Sequence, residues 1–77
     1  MARSSFSYRA KRLRELLIEA RKASGLTQVQ LSQRLRRPQS YVSKYERGER
    51  RLDVIEFIEV ADAVGADAAA LLRVLRK

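Results

Sequence analysis

The sequence predicts an all-α domain of five helices in one compact unit, with a tight turn between the second and third. Three observations carry that prediction. Apolar residues recur three and four positions apart through most of the chain, as one face of an α-helix requires. Residues that cap helix starts alternate with glycines that stop helices, at helix-length intervals. No run alternates apolar and polar residues like a strand, and no internal repeat or low-complexity segment is present.

Residues 1–6, MARSSF, lack periodicity and read as a mobile basic arm, with the folded domain at 7–77. The first helix is expected over about 8–23, with Ser7 as N-cap and Gly25 as its stop. Leu13, Leu17 and Ala20 share its apolar face, supported by Leu16, which leaves Arg9, Arg12 and Arg14 toward water or phosphate. Thr27 caps a short second helix ending near Leu35, with Leu31 and Leu35 a turn apart. Two residues then separate Leu35 from Pro38, enough only for a tight turn. Pro38 suits the first turn of a third helix, where a missing N–H costs nothing, and Gly48 ends it.

The fourth helix opens with Asp53 as cap and Glu56 three residues on, the spacing of a capping box. Leu52 and Phe57 take the two positions of a hydrophobic staple. Val54, Phe57, Ile58, Ala61 and Val64 form its expected buried stripe, and Gly65 closes it. Asp67 caps a fifth helix carrying Leu71, Leu72 and Leu75.

Composition narrows the function. Seventy-seven residues give one modest core, so no separate sensing or catalytic domain is expected. There is no cysteine and no histidine, which removes disulfides, thiolate metal sites and the commonest general base. No cofactor or metal is called for, and no convergent catalytic constellation points to an enzyme. No apolar run reaches the roughly 18–20 residues of a membrane span, and nothing resembles a secretory signal. The default location is therefore cytoplasmic.

Charge is one-sided. Residues 1–51 hold fourteen Lys/Arg against four Asp/Glu, a net of +10; residues 52–77 hold three against five, a net of −2. Thirteen of the seventeen cations are arginine, the side chain best matched to phosphate oxygens and guanine edges. The third helix sharpens the point. On a period of 3.6, Ser40, Ser43, Lys44 and Arg47 share a face, with Val42 and Tyr45 opposite. Hydroxyls, the nearby Gln39 amide and cations offer hydrogen bonds that a merely soluble face does not need. A basic all-helical domain with two short helices around a tight turn describes a helix-turn-helix.

The run GLTQVQLSQRLRRPQSYVSKYERGERRLDVIEFIEVADAVG resembles the lambda-repressor/Cro-type helix-turn-helix family of phage and bacterial regulators. The likeness lies in Leu26-Thr27-Gln28, Leu31, Leu35, Gln39-Ser40, Val42-Ser43, Glu46-Arg47-Gly48, and Ala61 with Gly65. It covers about residues 13–75. Two positions depart: Arg36 stands where the family usually has Gly, and Ser32 where it has Ala. A left-handed Arg36 would strain the turn by about 1 kcal/mol, while Ser32 is small enough to fit.

The resemblance implies a lambda-repressor-like fold whose third helix, about 39–47, lies in the major groove of double-stranded DNA. Gln39, Ser40, Ser43 and Lys44 are then the base-reading candidates. Tyr41 at the edge of that face either touches a thymine methyl or phosphate, or covers the rim of the core. Phosphate candidates are Thr27, Gln28, Arg37, Arg47, Arg50 and Arg51, with Gln28 at a helix start where free N–H groups favour an anion. Gln28 is also expected to brace Gln39, unless it is ordinary helix-start polarity. Glu46, which would repel phosphate, is implied to pair with Arg21 and fix the first helix against the third. Arg3, with Arg9 and Lys11 just after, either wraps the duplex or adds non-specific attraction.

A homodimer on a near-palindromic operator is the expected assembly, with Leu72, Val74 and Leu75 either forming its interface or completing the core. The rival reading is an antitoxin-like interaction module that regulates itself through DNA. Its protein partner would be a toxin, whereas a regulator would block or contact RNA polymerase. A membrane-surface peptide is rejected, because the apolar residues divide among five mutually suited faces.

Overall fold

The computed structural model describes the backbone of residues 2–77 and the side chains of residues 8–77. Five helices follow in order: α1 Ala2–Ala23, α2 Gln28–Leu35, α3 Gln39–Glu46, α4 Val54–Ala63 and α5 Ala68–Arg76. α1 begins six residues before its expected start, so Ser7 lies within the helix and is not its N-cap. No Gly or Pro in residues 2–7 interrupts it. The expected arm contacts, Arg3 included, fall outside the described side chains.

Short-range chemistry sets the other ends. Thr27 Oγ1 accepts the Gln30 N–H at 3.0 Å, and Gln30 Oε1 accepts the Thr27 N–H at 2.9 Å, a reciprocal cap at the start of α2. Asp53 and Glu56 do the same for α4, at 2.7 and 3.0 Å. Asp67 Oδ1 accepts from the Ala69 and Ala70 N–H groups at the start of α5. Pro38 sits at the N-cap of α3 with extended backbone, just before the first turn where it was expected. Arg36 adopts the left-handed conformation, φ 57° and ψ 44°, the one non-glycine with positive φ among the described residues. Its strain is offset locally, since the Arg36 and Arg37 N–H groups close the end of α2 on Gln33 and Ser32 carbonyls.

The core gathers Leu17, Leu31, Tyr41, Val42, Tyr45, Phe57, Val60 and Val64. Leu13, Ala20, Leu26, Leu35, Leu52 and Leu71 pack around it. α2 lies against α3 and α4, and α1 against α3 and α5. Ser32, buried where α2 meets its neighbours, donates to the Val29 carbonyl at 2.7 Å and leaves no unmet hydroxyl. The α4 stripe is corrected at two positions. Val54 is 71% exposed and Ile58 41%, while Val60 is fully buried. At about 100° per residue, Phe57, Val60, Ala61 and Val64 centre the inward face and Ile58 lies a quarter turn off it. Val54, in the first turn, extends past the end of the core.

Candidate nucleic-acid interface

Helix α3 is fixed from behind and open in front. Val42 and Tyr45 are buried against the other helices, while Gln39, Ser40 and Lys44 are exposed on the outer side. Ser43 is half-buried and donates to the Ser40 carbonyl at 3.3 Å, which keeps its hydroxyl close to the helix. Of the five base-reading candidates, three are exposed to reach a ligand and one sits at the rim.

Tyr41 takes the core-rim reading. It is 7% exposed, and its ring meets Tyr45 edge-on at 5.9 Å. The Arg37 and Arg50 guanidinium carbons lie 4.5 and 4.6 Å from the ring centroid, within cation–π range. Burial, then the nearby Glu56 carboxylate, raises the Tyr41 phenol above its ordinary pKa. Burial, followed by Glu46, raises that of Tyr45.

The expected Arg21–Glu46 pair is present. Arg21, 8% exposed, makes a two-pronged contact through Nε and Nη2, at 2.7 and 3.1 Å from the Glu46 carboxylate. Its third nitrogen donates to the Leu26 carbonyl at 2.8 Å. Gln28 also donates to Glu46, at 2.8 Å, so its amide braces the carboxylate and not Gln39 as expected. One carboxylate thus ties together α1, α2 and α3. A surface ion pair of this type contributes little, but here both partners are withdrawn from water and the geometry is bidentate.

The basic residues differ in how firmly carboxylates hold them. Arg47 pairs with Glu49 at 2.9 and 3.1 Å with both side chains over half exposed, a contact that solvent screening keeps weak. Hydrogen bonding to that guanidinium lowers the Glu49 pKa. Arg50 is engaged. It meets Glu56 bidentately at 3.1 and 2.7 Å and donates to the Arg51 carbonyl, so it is a structural tie as placed, not the free phosphate contact expected of it. Arg37 leans toward Glu56 and Glu59 at 3.9 and 3.7 Å. Arg51 is exposed on the segment after α3, and Thr27 is exposed at the start of α2.

Glu56 is the residue whose second role sequence reasoning missed. It caps α4 and also anchors Arg50, and these contacts, Arg50 first and the Asp53 N–H next, hold its carboxyl down to about 2. The capping spacing was visible in the sequence, but nothing local marked the partner six residues earlier across a loop. Arg34 was missed as well. It donates to the Ala63 carbonyl at 3.0 Å, fastening α2 to the negative end of α4. At the fifth helix, Leu72 and Val74 are exposed while Leu75 is half-buried toward the protein.

Two short helices around a strained tight turn, the second with its polar face outward, make a helix-turn-helix. Comparisons with known proteins agree. The helix-turn-helix family model matches residues 17–71. A solved structure described as an XRE-family like protein from Pseudomonas syringae pv. tomato str. DC3000 is 49% identical, with a TM-score of 0.94 over 97% of this chain and 92% of that one. No curated protein matches. Among the described residues no helix is long and apolar enough to cross a membrane. The chain belongs to the XRE family of Cro/C1-type helix-turn-helix proteins, which bind DNA and are not enzymes.

Proposed function

We propose that the chain is a sequence-specific transcriptional regulator that acts as a repressor by occupying a near-palindromic operator as a homodimer. The observation that carries this reading is the outer face of α3, where Gln39, Ser40 and Lys44 stand exposed on a helix whose other side is locked into the core. In the major groove, Gln39 suits the paired donor and acceptor of adenine, and Lys44 the two acceptors of guanine. Ser40 and the rim hydroxyl of Ser43 serve either. Thr27, Gln28, Arg47 and Arg51 hold the backbone, and Arg47 exchanges its exposed carboxylate partner for phosphate at little cost.

One such domain spans half a helical turn, so affinity needs two recognition helices about 34 Å apart. The exposed Leu72 and Val74, on the C-terminal third of the chain, which carries no net positive charge, suit the dimer contact. Repression then follows from occupancy, with protein concentration setting the response.

Selection of bound sequences from random duplex tests the reading. An inverted repeat is expected. Gln39→Ala and Lys44→Ala should each relax preference at particular base pairs by about 1–3 kcal/mol. Arg47→Ala should weaken all sequences alike and reduce the salt slope by about one. If the first two variants lost affinity uniformly, α3 would not be the base reader.

A further inference from the structure

Beside the recognition helix lies a cleft of about 710 Å³, bounded by α1, the segment after α3 and the end of α5. Its floor is apolar, with Leu13, Leu52 and Leu75, and its rim is basic, with Arg9, Lys11 and Arg14; no acidic residue lines it. That size falls in the range of about 300–1,000 Å³ common to small-molecule sites.

Arg14 is the informative member. It is half-buried, and its guanidinium rests on Gly48, so close that a Cβ there would stand 2.8 Å from Cζ. Gly48 has φ +82°, so the backbone favours glycine there. All nine Asp and Glu side chains are among the described residues, and none pairs with Arg14. Tyr45 adds to the same wall, and its buried hydroxyl has no hydrogen-bond partner among the described residues. A half-buried cation on an apolar cleft, with no carboxylate beside it, favours an anion. A duplex phosphate would use the basic rim but gain nothing from the leucine floor. A neutral apolar molecule would use the floor but not the rim.

We propose that this cleft binds a small amphipathic organic anion, its carboxylate on Arg14 and its hydrocarbon body over Leu13, Leu52 and Leu75. The ligand's charge then sits beneath the Arg47 to Arg51 segment and lowers the positive potential there. On the DNA-binding reading proposed above, an occupied cleft weakens operator affinity; binding of the anion itself does not depend on that reading.

The test uses dodecanoate, below its micelle concentration, added to the isotope-labelled full chain without DNA and followed by amide chemical shifts. Saturable binding of one equivalent is expected, with shifts centred on Leu13, Arg14, Gly48, Leu52 and Leu75. Dodecanol and inorganic phosphate should not reproduce it. Arg14→Gln should weaken binding about tenfold, the loss of one charge-assisted contact. Leu75→Ala should weaken it too, which keeps the test valid if one variant folds poorly. Absence of saturation, equal shifts with dodecanol or phosphate, or full affinity in folded Arg14→Gln would overturn the site. Dodecanoate binding that leaves operator affinity unchanged would overturn the regulatory step alone, and a chain that binds dodecanoate but no duplex would refute the DNA reading while leaving the site standing.

Discussion

Replacing Glu46 with Ala removes the carboxylate that joins three helices. The loss leaves the Arg21 Nε and Nη2 and the Gln28 amide without their acceptor, with the Arg21 side chain only 10% exposed. Breaking a buried pair by deleting one partner costs about 3–5 kcal/mol, because the remaining charge is stranded. Arg21 keeps the Leu26 carbonyl and some access to water, so the lower end, about 3 kcal/mol, is expected. A domain of this length is stable by only about 4–12 kcal/mol. At about 4–8 °C per kcal/mol, the melting temperature should fall by about 12–24 °C. Far-UV circular dichroism on heating measures it, with operator affinity compared at a temperature where both proteins are folded. Arg21→Met with Glu46→Leu should cost less than Glu46→Ala alone, since no charge is left behind. A Glu46→Ala protein melting within about 2 °C of wild type would refute the reasoning, whatever its effect on DNA.

The left-handed Arg36 makes a gain of stability available: Arg36→Gly should remove about 1–2 kcal/mol of backbone strain and return about 0.4–1 through a freer unfolded chain, a net stabilisation of up to about 1.5 kcal/mol seen as a higher urea midpoint. Glu56 gives a pH dependence. Its folded pKa, about 2, lies below the ordinary 4.5, so folding favours the ionised form and its contribution is complete above about 4.5. That contribution should be lost as pH falls from about 4.5 through about 2, and Glu56→Gln should show a flatter decline in melting temperature over that window. If the proposed dimer packs through α5, Leu72→Glu should shift the sedimenting species from dimer to monomer and weaken operator binding while the monomer keeps its helical circular dichroism; a wild-type chain that sediments as a monomer, or a dimer unchanged by the substitution, would overturn that interface.

Much of the fold was legible because its signals act within a turn of chain. Thr27, Asp53 and Asp67 each bond to N–H groups two or three residues away, and the sequence displays that spacing directly. The start of α1 was not legible, since the short run before Tyr8 shows no apolar period yet contains nothing to break a helix. The α4 stripe went wrong at Val54 and Ile58 because helical spacing gives the direction a residue faces, not whether another element stands in front of it. The candidate site divides in the same way. The outward side of α3 follows from its period, whereas Gln28 on Glu46 and Arg50 on Glu56 depend on how separate segments meet.

By itself, the sequence determined five helices, the short turn between the second and third, and the polar side of the recognition helix, because capping and helical period are properties of a few neighbouring residues. Only the tertiary structure decided which cations are held by carboxylates, which side Tyr41 takes, and that Arg14 lies on Gly48 with no carboxylate partner among the described residues. Those outcomes depend on distances between groups far apart in the chain, and such distances exist only once the core has closed.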